Sequence, residues 1–188
     1  MKNFFDEHAA SWDSHEKKTQ DQLKELLSAL PIKEGMKVLD LACGTGIITE
    51  ILYNMTKTKV LGIDLSAEMI NVARKKISKD HAEFVVGDFL TANITGYDFI
   101  VLFNAYPHFL ETDKLIDSLC KGLKPKGNFA ILHSLGRDQL HKTHSGSVSV
   151  LSRDLLPVVQ EAEKFETKFK ILEAKEGKNY YYILGEKR

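Results

Sequence analysis

The chain has 188 residues, 26 of them Lys or Arg against 26 Asp or Glu, for a formal net charge of zero, and 43% of it is hydrophobic. That is one domain's length, 1–188, large enough to bury a core without staples, and the balanced charge argues against nucleic acid as a partner. No apolar run reaches the roughly 18 residues that would suggest a membrane span, residues 1–10 do not read as a secretory signal, and Cys43 and Cys120 suggest no disulfide framework, so a cytoplasmic protein is expected.

Residues 3–30 predict a helix or helices. Phe4, Phe5, Ala9 and Trp12 recur at spacings of three to five, and Leu23, Leu26, Leu27 and Leu30 repeat the helical period up to Pro31, with a break in the polar stretch 14–22. A first strand is expected at 37–41, a helix at 46–56, a second strand at 59–65, and a helix at 67–77 capped by Ser66. A third strand, 83–86, closes on Gly87-Asp88-Phe89, and a fourth, 97–103, empties into Asn104-Ala105-Tyr106-Pro107-His108-Phe109. Thr112 caps a helix over 112–122, and residues 123–127 form a turn before a fifth strand at 128–133.

The excursion that follows, 134–153, is long for a βα connection and holds a short helix at 136–144. A helix near 154–165 and two strands, 168–174 and 180–185, complete the chain as a hairpin. Near-continuous apolar strands separated by helices indicate a parallel sheet covered on both faces. Tyr180-Tyr181-Tyr182 is expected as an exposed aromatic edge and a candidate contact, which leaves monomer and homodimer both open.

The first strand's end is the organising feature: Asp40-Leu41-Ala42-Cys43-Gly44-Thr45-Gly46 joins a carboxylate to two glycines one residue apart, where backbone can approach a ligand closely. Thr49 stands where a dinucleotide fingerprint needs its third glycine, and no Gly-Lys-Ser or Gly-Lys-Thr follows for a Walker loop. Asp40, Ala42, Gly44 and Gly46 resemble motif I of the class I S-adenosylmethionine-dependent methyltransferases, with Ala42 in place of the family's first glycine. The resemblance covers nearly the whole chain. It implies an α/β, Rossmann-like doubly wound sheet of seven strands, the last antiparallel, with 1–30 as a helical cap and 134–153 as a lid insertion.

It also implies a cofactor, S-adenosyl-L-methionine, laid across successive strand ends. Asp40, Ala42 and Gly44 suit the methionine portion, and Asp64 can accept both ribose hydroxyls, a position that would serve NAD equally well. Asp88 suits the adenine amine, with Phe89 or Leu65 against the ring, while Trp12 is the candidate to fold over the cofactor and Asn104 stands at the fourth strand's end.

The acceptor is expected at the fourth and fifth strand ends. His108 and His133 are candidate general bases, with His141 and His144 on the excursion above them, and each can also be explained as a turn, core or solvated residue. A metal set of His108, His133 and His144 is the weaker alternative, since no tight ligand spacing supports it. Asn104-Ala105-Tyr106-Pro107 departs from the family pattern for adenine or glutamine nitrogens and points to a small-molecule methyl acceptor. The rival readings are a non-catalytic cofactor-binding module and a nicotinamide-dependent oxidoreductase.

Overall fold

The structure, a computed structural model, describes residues 2–16, 18–143 and 152–188. Among these lie seven strands: Val38–Leu41 (β1), Val60–Asp64 (β2), Ala82–Val86 (β3), Tyr97–Phe103 (β4), Leu123–His133 (β5), Phe169–Gly177 (β6) and Tyr180–Lys187 (β7). They form one sheet in the order β3-β2-β1-β4-β5-β7-β6. Strands β1 to β5 run parallel, and β7 is antiparallel to both of its neighbours, β5 and β6. The helices are Lys2–His8 (α1), Gln20–Ser28 (α2), Thr49–Thr56 (α3), Ala67–Lys76 (α4), Thr112–Gly122 (α5), Arg137–Thr143 (α6) and Val158–Glu163 (α7), with a 3₁₀ segment at Ala9–His15 after α1.

The alternation of side chains along each strand sorts the apolar residues into two cores. Ile100 and Leu102 of β4, Phe129 and Ile131 of β5, and Tyr181 and Ile183 of β7 face α5 and α7. Phe99, Val101, Ala130, Leu132, Tyr182 and Leu184, one step out of phase, face α2 and α3. All four residues of β1 are buried, as expected for a central strand covered on both sides. Helix α2 starts on a capping box between Thr19 and Gln22 and buries Leu23 and Leu27, while Ser66 caps α4 by accepting from Met69 N.

Several expectations change in detail. Helix α3 starts at Thr49 rather than 46, because the loop through Gly44 and Gly46 takes positive φ at both glycines before helical geometry can begin. Residues 123–127 belong to β5, whose register with β4 shifts between Tyr97 and Phe99. Glu111, not Thr112, occupies the cap position of α5 and makes no side-chain cap bond. Tyr181 and Tyr182 are buried, since β7 lies inside the sheet, so they offer no exposed edge. No helix among the described residues is long and apolar enough to cross a membrane.

Candidate functional site

A cavity of about 640 Å³ lies over the carboxyl ends of the strands and is roofed by the amino-terminal segment. This is where open α/β sheets hold ligands, at the point where the strand order reverses about β1. Asp40, Ala42, Gly44, Asp64, Leu65, Asp88, Phe89, Asn104, His108 and Trp12 all line it.

The loop after β1 is shaped by three left-handed residues, Ala42, Gly44 and Gly46, with φ of 54°, 53° and 74°. Alanine there costs about 1–2 kcal/mol relative to its ordinary conformation. The Gly44 amide, turned by this geometry, donates to Asp64 Oδ2 at 2.9 Å, and Ser66 N donates to Asp64 Oδ1 at 2.8 Å. Each oxygen keeps lone-pair capacity for a ligand hydroxyl. Burial raises the Asp64 carboxyl above its usual range, opposed by these amides. Leu65, 42% exposed, stands beside it as an uncovered apolar surface.

Asp40 is buried and accepts from the Thr49 hydroxyl at 2.5 Å. Burial pushes its pKa up to about 7, against the Thr49 hydrogen bond and with the help of nearby Asp64. Asp88 accepts from Leu90 N at 2.9 Å, and Phe89 packs into the core at the cavity wall. Gly46 does not line the cavity: a Cβ there would stand 2.7 Å from Ile77 Cδ1 and 3.2 Å from Phe84 Cζ, so its bareness serves packing against α4 and β3.

Three carboxylates of the amino-terminal strap fasten it across the strand ends, and local sequence reading did not find them. Asp6 accepts from Ser66 Oγ at 2.6 Å and from Glu68 N at 3.3 Å, and the Ser66 bond lowers its pKa. Asp13 accepts from the Thr45 hydroxyl and from Lys76 Nζ, the latter at 2.7 Å. Glu16 Oε2 accepts from Asn104 Nδ2 at 2.9 Å and from Ser134 Oγ at 3.0 Å. The strap's Trp12 lies over Gly44, where a Cβ would come within 3.7 Å of the indole nitrogen, and packs edge-on to Phe5.

The two candidate bases are separated. His108 lines the cavity, edge-on to Phe5 at 5.2 Å between ring centroids. His133 points into the core, fully buried and edge-on to Tyr181 at 5.9 Å, and it is the next residue, Ser134, that reaches the cavity. The expectation that both histidines face the acceptor is therefore not met, because adjacent residues at a strand end point to opposite sides. His141 bonds the Leu155 carbonyl at 3.1 Å, and His144 falls outside the described residues. Among the described residues no group of three or more His, Cys, Asp or Glu is arranged to hold a metal ion.

A buried ionic cluster holds the wall around His108. Glu161, with no exposed surface, accepts from Arg153 Nη1 at 2.6 Å and Nη2 at 3.1 Å, Tyr106 Oη at 2.7 Å, Lys164 Nζ at 3.0 Å and Leu156 N at 3.1 Å. Burial opposes its ionisation, but these donors outweigh it and hold its pKa at about 2. Arg153 also stacks over the Tyr106 ring at 4.5 Å and donates its backbone N–H to the Pro107 carbonyl at 3.0 Å.

Residues 32–188 match a family model described as "Methyltransferase domain". The chain is 29% identical over 150 residues to a malonyl-[acyl-carrier protein] O-methyltransferase of Priestia megaterium, covering 77% of this chain and 54% of that protein. It is 35% identical over 111 residues to a trans-aconitate 2-methyltransferase of Variovorax paradoxus, covering 57% of this chain and 42% of that protein. The chain thus spans about half the length of these relatives. Among solved structures, a Haloferax volcanii protein in complex with the Trm112 methyltransferase activator aligns with a TM-score of 0.82 at 20% identity, over 97% of each chain. A SAM-dependent methyltransferase of Aquifex aeolicus aligns with a TM-score of 0.76 at 20% identity, over 97% of this chain and 98% of that one.

Proposed function

The chain belongs to the methyltransferase-domain family, and from that membership we propose that it methylates a small-molecule acceptor held at the β4 and β5 end of the cavity. The cofactor of this fold, S-adenosylmethionine, supplies an electrophilic methyl group on a sulfonium. The carrying observation is the Asp64 carboxylate, fixed by the Gly44 and Ser66 amides at the cavity lip beside exposed Leu65. A carboxylate so held is matched to a ribose diol, and a cavity of about 640 Å³ has room for a nucleoside and a small acceptor together.

In this reading Asp64 holds the ribose, Asp88 receives the adenine amine, and Leu65 and Phe89 flank the ring. Trp12 and Gly44 close over the methionine portion. Asp40, buried at the cavity wall and bonded to Thr49, supports the loop after β1. The described parts of the strap 1–30 and of the excursion 134–153, of which 144–151 lie outside the described residues, serve as the lid, and covering the strand ends excludes water and holds the acceptor in place, which supplies most of the rate. His108, which lines the cavity, takes the proton in this reading when the acceptor must lose one.

Small size of the acceptor is supported by the three latches at Asp6, Asp13 and Glu16, which fasten the strap whose Phe5, Trp12 and Glu16 line the cavity. The test incubates the protein with methyl-labelled S-adenosylmethionine and a whole-cell extract. Label is expected in an acid-soluble product separated from S-adenosylmethionine and absent from extract incubated without the protein, and protein-dependent label in precipitable protein or nucleic acid would refute a small acceptor. A second reading, a protein partner, is favoured by the structural likeness to the Trm112-bound protein together with the edge strand β3, whose Val85 and Val86 are 37% and 43% exposed.

A further inference from the structure

Resting on the reading above, we infer that the methyl acceptor is a small, mainly apolar amine whose nitrogen is recognised by Glu16. Among the described residues the cavity is lined by the acidic residues Glu16, Asp64, Asp88 and Glu111, with Asp40 buried at its wall, and by no Lys or Arg. A concave site with low-dielectric walls and one sign of charge concentrates the opposite sign and repels its own. Among the described residues a carboxylate or phosphate acceptor would meet no lining Lys or Arg.

The strand order divides the cavity's polar groups between two ends. Asp40 and Asp64 stand at the carboxyl ends of β1 and β2 and Asp88 just past β3, on the cofactor side, while Asn104 and Ser134 stand after β4 and β5. Glu16 belongs to the second group, because Asn104 and Ser134 both donate to its Oε2, and Lys18 N donates to its Oε1 at 2.9 Å. Three donors fix the carboxylate in place, and a carboxylate with about four acceptor sites can take one more.

The cavity lining that follows β4 and β5 is otherwise largely apolar, with Phe109 and Leu110 after β4 and Leu135 and Leu140 after β5, and the strap adds Phe5. Such a wall takes a carbon skeleton, and the fixed carboxylate takes its one polar head. A protonated amine satisfies both the hydrogen-bonding capacity and the charge, whereas an alcohol satisfies only the first, and a charge-assisted bond is roughly twice as strong as a neutral one. His108, on the same wall, is placed to take the proton that frees the nitrogen lone pair.

The test screens a library of amines, alcohols and carboxylates matched in carbon skeleton by ligand-observed NMR against the protein saturated with S-adenosylhomocysteine, whose own binding is measured separately by calorimetry. Amines are expected to bind at least about tenfold more tightly than the carboxylates of the same skeleton, the gap shrinking several-fold in Glu16→Gln and persisting in Glu16→Asp, which keeps the charge. Carboxylates that bind as well as amines, a gap unchanged in Glu16→Gln, or a library in which nothing binds would each overturn the inference. So would a Glu16→Gln protein that loses S-adenosylhomocysteine but not amines, since Glu16 would then belong to the cofactor. If the unaltered protein does not bind S-adenosylhomocysteine, the methyltransferase reading falls; if it binds and carboxylates lead, only the amine assignment falls.

Discussion

Replacing Glu161 with Gln removes the negative charge at the centre of the cluster behind His108 and leaves the Arg153 guanidinium, 20% exposed, without its counter-ion. Breaking one partner of a buried ion pair costs about 3–5 kcal/mol. The depressed pKa that the same donors give this group leads to a similar figure. Its pKa falls from 4.5 to about 2 on folding, and at 1.36 kcal/mol per pKa unit that depression is worth about 3 kcal/mol. The two routes agree, so urea unfolding at neutral pH should show Glu161→Gln destabilised by about 3 kcal/mol.

The pH dependence fixes the sign. A depressed carboxyl pKa contributes stability that is present above 4.5 and lost as pH falls toward about 2. The gap between the parent protein and the variant should therefore stay constant from neutral pH to the onset of carboxylate titration and then close on further acidification. A gap below about 1 kcal/mol at neutral pH, the range of an exposed ion pair, would refute the reasoning, as would a gap that acid does not narrow.

Asp64→Ala orphans the Gly44 and Ser66 amides and, on the proposed assignment, removes two charge-assisted bonds to the ribose; at about 1.5 kcal/mol or more each, affinity for S-adenosylhomocysteine should fall about a hundredfold by calorimetry, and a change under about threefold would reject the ribose assignment. Gly46→Ala adds a Cβ 2.7 Å from Ile77 Cδ1 at a φ of 74°. It should cost about 2–4 kcal/mol in urea unfolding while the folded fraction keeps its cofactor affinity, and the reverse pattern would return Gly46 to the binding site. Asp40, raised to about 7 from 3.8, makes the fold less stable as pH rises between those values. Asp40→Asn should remove that slope, and an unchanged slope in the variant would show that another group titrates.

The strand ends were legible because their signals are local. An apolar run, a carboxylate and a turn occupy about ten residues, which suffices to set Asp40, Asp64 and Asp88 at the termini of β1, β2 and β3. The latches were not legible, because Asp6 meets Ser66 across 60 positions and Glu16 meets Ser134 across 118, with no motif linking the partners. His133 and Ser134 differ by one step of strand parity, and that step decides which one enters the cavity. The tyrosines of β7 read as an edge because the sequence reports that a hairpin forms, but not that its second strand slots between β5 and the first. Gly46 was assigned to the ligand on motif grounds, and only the positions of Ile77 and Phe84 show what its missing side chain makes room for.

The most direct measurement is a crystal structure of the protein with S-adenosylhomocysteine. Both ribose hydroxyls should lie within hydrogen-bonding distance of Asp64, with the adenine amine toward Asp88 and the sulfur facing the side of the cavity that holds Asn104 and His108. A nucleoside bound away from the ends of β1, β2 and β3, or an Asp64 carboxylate turned from the ribose, would contradict the account.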